Sequence, residues 1–185
     1  MSLGTLWEPG AVFGPADLTP ATIQAITDAL SPAQVLALTA RAEARSRFVA
    51  GQGWGANPLD ALVEILNVVD NRAKDPRWQS LGHKGICLQR RQFSCWNMRG
   101  GADNFYDLMQ QAQRLLAGVE LDEGFRNVLA AAHGCVGGAL IDDLRFATHY
   151  YAPASMVPPG RVPGWVAGAV LTAERWGHRF YREVR

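Results

Sequence analysis

A chain of 185 residues, 48% of them apolar, is long enough to bury one sizeable core and leaves little room for a second. Its formal net charge of +1 removes bulk electrostatics as a way of holding nucleic acid, so no nucleic-acid partner is expected. Three cysteines, Cys87, Cys95 and Cys135, with no Cys-x-x-Cys pair argue against both a disulfide framework and a zinc ribbon, and fit synthesis in a reducing compartment.

The opening Met-Ser-Leu-Gly-Thr-Leu-Trp-Glu-Pro-Gly lacks the basic start and apolar stretch of a secretory signal, and no run approaches the roughly 18 residues of a membrane span. The expectation is a protein made in the cytoplasm without a signal peptide or membrane insertion, delivered by another agent if its target lies outside. Residues 1–20 set glycine and proline among Trp7, Val12 and Phe13 and read as an irregular leader on a single domain, 1–185, whose core runs over 31–181. Thr22 to Leu30 predicts a short helix with Ile23, Ile26 and Leu30 on one face. Ser31 as N-cap and Pro32 in the first turn then open a second helix, and the two read as a helical hairpin.

That second helix carries Val35, Leu36, Leu38 and Thr39 and reaches Glu43 near its C-terminal end, on the same face as Leu36. A carboxylate there lies beside the negative end of the helix dipole, and partial burial opposes ionisation further, so both effects favour a protonated acid. A glycosidase needs such an acid to protonate the leaving oxygen of a glycosidic bond. The plainer alternative is a surface glutamate between Arg41 and Arg45. Residues 46–57, with Gly51, Gly53 and Gly55 around Gln52 and Trp54, predict a mobile loop able to flank a substrate cleft. With no strand before it, the loop is no nucleotide fingerprint.

A long helix over 58–74 has apolar residues around most of its circumference and must be largely buried. Glu64, Asn67 and Asn71 make a narrow polar stripe on it, either a solvent-facing strip or a cleft wall whose amides can bond sugar hydroxyl and acetamido groups. Residues 75–83 read as a connection. The segment 88–97, with Gln89, Gln92, Phe93, Ser94, Trp96 and Asn97, is dense in groups that stack on or hydrogen-bond to sugars. A further helix is expected from Asn104 to Ala117, with Phe105, Leu108, Met109, Ala112, Leu115 and Leu116 as its core face. Residues 145–151 and 176–181 are β-prone and can pair as a small antiparallel sheet, with a proline-rich loop around Trp165 and a helix over Val166 to Arg175 between them.

The series AEAR at 42–45, VVDNRA at 68–73, QFSCWN at 92–97, ATHYYAP at 147–153 and GHRFY at 177–181 resembles the SleB-like cell wall hydrolases of spore cortex lysis and phages. The resemblance implies an α+β, mainly α-helical, lysozyme-like or lytic transglycosylase-like domain with a small antiparallel β element. It also implies cleavage of the muramic acid to glucosamine bond of peptidoglycan with one glutamate, which maps onto Glu43. Asn71, Gln92, Phe93, Ser94, Trp96, Thr148, His149 and Tyr150 are the candidate substrate-binding residues, Phe93 and Trp96 by packing or stacking. The family usually reads Glu-Ala-Arg-Gly-Glu, whereas here Arg45 is followed by Ser46 and Arg47, and Tyr151 stands where histidine is common.

The expected chemistry is a lytic transglycosylase on peptidoglycan glycan strands, acting as a monomer in phage-type lysis, as an endolysin or within a virion. A hydrolytic muramidase would need a second carboxylate or a well-held water, and Glu64 or Asp60 is available for that role. Cys95 with His149 would instead make a cysteine peptidase or amidase dyad. A peptidoglycan-binding module without turnover is the non-enzymatic alternative. His83, His133, His149 and His178 offer no helix-spaced pair, so neither metal nor cofactor is expected.

Overall fold

A computed structural model of the chain describes residues 17–44, 58–90, 92–97, 102–119 and 122–184. The expected loop at 46–57 and residues 1–16 of the expected leader lie outside the described residues. Helix α1 spans Pro20–Ala29, starting two residues before Thr22, because the Thr19 hydroxyl accepts from the Thr22 amide at 3.1 Å and Pro20 suits the first turn. Helix α2 spans Pro32–Ala44 and opens with a reciprocal cap. Ser31 Oγ accepts from Gln34 N at 3.2 Å while Gln34 Oε1 accepts from Ser31 N at 2.8 Å. α1 packs chiefly on helix α5 (Ala102–Leu116), so the hairpin reading gives way to a different arrangement.

α2 is the hub of the helical body. It packs against α3 (Pro58–Lys74), α4 (Gly82–Leu88), α5 and α6 (Glu123–Val136), and every residue from Val35 to Ala40 is buried. Its alanines at 37, 40 and 44 are completely or almost completely enclosed, which lets neighbouring helices approach from several sides. α4 and α6 are absent from the sequence reading. α4 holds Gly82 and Gly85 within seven residues, a poor intrinsic helix, and forms because Ile86 and Cys87 are buried in the core. α6 is capped by Asp122, whose carboxylate accepts from Phe125 N at 2.9 Å, and it buries Phe125, Val128, Ala132 and Cys135.

Three antiparallel strands, β1 (His149–Tyr151), β2 (Val170–Arg175) and β3 (His178–Arg182), form a sheet in the order β1-β3-β2. The expected pairing of the 145–151 and 176–181 segments is found, with Tyr150 opposite Phe180. The expected helix over Val166 to Arg175 is corrected to a short 3₁₀ turn and strand β2. The reason lies in the next two residues. Trp176 and Gly177 have φ of 50° and 67°, the two left-handed positions of a tight hairpin turn, and they set Arg175 directly against His178. The result is an α+β fold, mainly helical, in which Val68 of α3 packs against Phe180 of the sheet and against Leu144 and Ala147 of the segment before β1. No described helix is long and apolar enough to cross a membrane.

Candidate active site

Glu43 sits half-buried in the last turn of α2, and what surrounds it is fixed one turn earlier. Thr39 Oγ1 donates to Val35 O at 2.7 Å and accepts from the Trp96 indole at 2.8 Å, which pins the turn Ser94–Trp96 against α2. Ser94 Oγ and the Cys95 amide then each donate to Glu43 Oε1 at 3.2 Å. From the other side Tyr150 Oη donates to Oε2 at 3.0 Å. Two segments far apart in sequence thus grip both oxygens of one carboxylate, while the exposure of Ser94 leaves the Oε1 side open to solvent. Arg41 does not serve Glu43 as an ion-pair partner. Its guanidinium bonds Asp122 Oδ2 at 2.6 Å and so ties α2 to the cap of α6, and Arg45 lies outside the described residues.

Tyr150 is held by α3. Asn71 Nδ2 donates to Ala147 O at 3.1 Å and to Asp142 Oδ1 at 3.3 Å. Asp142 in turn accepts from the amides of Leu144 at 2.9 Å and Phe146 at 2.7 Å, closing a turn in which Arg145 and Phe146 take φ of 53° and 64°. Next along the helix, buried Arg72 donates through Nε to Thr148 O and through Nη1 to Gln92 Oε1 at 2.9 Å. Its guanidinium lies 5.4 Å from the Phe93 ring centroid and 5.5 Å from that of Trp78. Asn71 and Arg72 therefore set the backbone that carries Tyr150, and Arg72 sets the Gln92 and Phe93 that lead to Ser94.

The expected site residues separate into two groups. Ser94 and Tyr150 touch Glu43 directly, and Trp96 anchors their surroundings. Asn71, Gln92, Phe93 and Thr148 act one contact further out, with Asn71, Phe93 and Thr148 buried. The polar stripe of α3 is neither a solvent strip nor an open wall. Glu64, Asn67 and Asn71 are all buried under the segment that leads into β1 and under Arg175, with Asn67 donating to Asp143 at 3.1 Å. Arg72, marked in the sequence as Asn71's neighbour in VVDNRA but not among the candidate substrate-binding residues, is the residue that joins the two segments.

His149 alternates with Tyr150 along β1 and so faces the other way. Its ring lies between Trp78 and Trp165, centroids 5.8 and 5.3 Å away, and its Nδ1 meets Thr148 Oγ1 at 3.0 Å. Burial, then the Arg72 and Arg77 charges, bring its pKa down to about 4, so it is neutral at neutral pH. Burial and next the Glu43 charge push the Cys95 thiol far above its ordinary range. A thiol so placed is a poor nucleophile, which weighs against the Cys95–His149 dyad. Burial and the Glu43 charge also raise the Tyr150 phenol well above its ordinary value, so it stays a donor. Of the carboxylates considered as a second catalytic group, Glu64 lies buried 3.9 Å from Arg175 Nη1 and Asp60 is exposed in the first turn of α3. Among the described residues, the one grouping of His, Cys, Asp or Glu that can share a metal is Asp70, His83 and Cys135, away from Glu43.

No curated protein and no solved structure matches the chain. The cell wall hydrolase family matches residues 56–181, a stretch that begins after Glu43 and includes all the other candidate residues from Asn71 to Tyr150. With that match over well more than half of its length, and with the matched segments folding around the Glu43 carboxylate, the chain belongs to the cell wall hydrolase family, enzymes that degrade peptidoglycan.

Proposed function

We propose that the protein cleaves the β-1,4 bond between N-acetylmuramic acid and N-acetylglucosamine as a lytic transglycosylase, with Glu43 as its acid and base. The observation that carries this reading is the hold on Glu43. Ser94 Oγ, the Cys95 amide and Tyr150 Oη orient one carboxyl group, and the exposure of Ser94 places its Oε1 edge toward solvent. Protonated Glu43 gives its proton to the glycosidic oxygen as the bond from that oxygen to the muramic acid C1 breaks and an oxocarbenium-like centre develops. The resulting carboxylate then takes the proton of the same sugar's 6-hydroxyl, whose oxygen closes on C1 to give the 1,6-anhydro ring. Glu43 ends protonated, no water is consumed, and one carboxyl group suffices. A hydrolytic muramidase would need a base for water, and Glu64, buried beside Arg175, is poorly placed to serve.

The test is mass spectrometry of products released from purified peptidoglycan by the wild type and by Glu43→Gln. Anhydro-muropeptides from the wild type, reduced about 10³-fold or more in the variant, are the expected result. Reducing-end muramic acid would make the enzyme a muramidase. Peptide fragments with intact glycan, or turnover that survives the substitution, would sink the assignment of Glu43.

A further inference from the structure

Three helices of the core bring Asp70 of α3, His83 of α4 and Cys135 of α6 together, with one donor atom of each within 4.8 Å of the others. The cluster is invisible in the spacing of the histidines because each helix supplies a single member. Asp70 and Cys135 are buried, Cys135 completely, whereas half-buried His83 opens the cluster to solvent. Carboxylate, imidazole and thiolate form the mixed oxygen, nitrogen and sulfur set that suits a borderline-soft dication. Zinc bound at about 2.0–2.3 Å from its donors keeps them roughly 3.3–3.7 Å apart. His83 Nε2 and Asp70 Oδ1 already stand 3.1 Å apart, so small shifts, chiefly of the sulfur, close the set.

Lys74 supports the same arrangement. It donates to Asp70 Oδ2 and so fixes the carboxylate through the oxygen not facing His83, leaving Oδ1 toward the histidine. With Asp70 and Cys135 ionised, His83 neutral and the Lys74 ammonium on Asp70 Oδ2, the cluster presents one net negative charge to the dication. The Cys135 thiol, which donates to Leu66 O at 3.9 Å, supplies the third donor atom beside the aspartate and histidine.

We propose that Asp70, His83 and Cys135 bind a zinc ion that cross-links α3, α4 and α6, with water from the His83 side in the fourth position. On binding, the Cys135 thiol gives its proton to solvent and its sulfur takes the metal. Because Cys135 is closed to any wall fragment, the ion is structural, and it stiffens α3 one residue before Asn71 and Arg72, the pair that positions Tyr150.

The experiment is a titration of the full chain, first stripped with a chelator, with cobalt and then zinc. Cobalt is expected to give thiolate-to-metal charge-transfer absorption with tetrahedral d–d bands, both displaced by zinc. Zinc at about 100 times its Kd is expected to raise Tm by about 5–10 °C. Cys135→Ser should lose the charge-transfer band. His83→Ala, at the most exposed member of the cluster, should weaken zinc binding at least about tenfold. No absorption and no Tm shift in the wild type would overturn the proposal. So would a charge-transfer band that persists in Cys135→Ser, since the thiolate would then be Cys87 or Cys95. Should Cys135→Ser fail to fold, zinc affinity unchanged in His83→Ala would overturn it equally.

Discussion

Tyr150 is the partner of Glu43 that can be altered with least collateral change. Its ring packs 5.1 Å from His178 and 5.9 Å from Phe180, centroid to centroid, so Tyr150→Phe keeps the packing and deletes the 3.0 Å hydrogen bond to Oε2. A hydrogen bond to a charged group contributes about 1.5–3 kcal/mol, so the rate of muropeptide release should fall about 10- to 100-fold with KM little changed. Ser94→Ala should cost less, since Ser94 is exposed and water can replace its hydroxyl. An undiminished rate in Tyr150→Phe would mean that the phenol does not orient the acid. The place of Glu43 near the C-terminal end of a helix is legible in the sequence. What Ser94 and Tyr150 do is not. Composition marked them as groups able to hydrogen-bond, but their hydroxyls turn toward a carboxylate 51 and 107 residues away, a distance no local pattern spans.

Elements were legible where local signals and packing agree. Ser31 as N-cap with Pro32 in the first turn, and the apolar circumference of α3, predict α2 and α3 with little error. α6 carried equally good signals, Asp122 and Glu123 before Phe125, Val128, Ala132 and Cys135 at helical spacing, and was overlooked. α4 could not have been found this way, because its two glycines argue against a helix that only tertiary burial stabilises. β2 does not read as a strand because its mostly exposed residues, Val170 to Arg175, lack the apolar alternation that marks one, and the hairpin turn at Trp176-Gly177 carries no local signal strong enough to separate it from β3. One glycine offers a direct test of an element. Gly134 lies inside α6, and a Cβ built there meets nothing within 4 Å. Gly134→Ala should therefore stabilise by about 0.5–1 kcal/mol, raising Tm by about 1–4 °C, with wall-degrading activity unchanged. Thermal unfolding in the presence of chelator makes the comparison, and a lowered Tm would show that α6 is more tightly packed at this point than its surroundings indicate.

The whole molecule joins a helical body that carries Glu43 to a sheet that carries Tyr150, and the motif series gave that division without giving the joint. The joint is α3, and its central residue is Arg72. From one buried side chain it reaches Thr148 O, Gln92 Oε1 and the faces of Phe93 and Trp78. A lysine keeps the charge but offers a single nitrogen in place of a planar fork, and it cannot lie against two rings as a guanidinium does. Arg72→Lys should thus leave one of the two acceptors unpaired in a buried place, lowering stability by about 2–4 kcal/mol in urea unfolding. It should also loosen Tyr150 and Ser94 relative to Glu43 at the same moment. The expected kinetic signature is a fall in the rate of muropeptide release larger than the fall for Tyr150→Phe, because both sides of the carboxylate lose their register together. A combined variant, Arg72→Lys with Tyr150→Phe, should then be less impaired than the product of the two single effects. Independent, multiplying losses would instead separate the structural joint from the chemistry of Glu43.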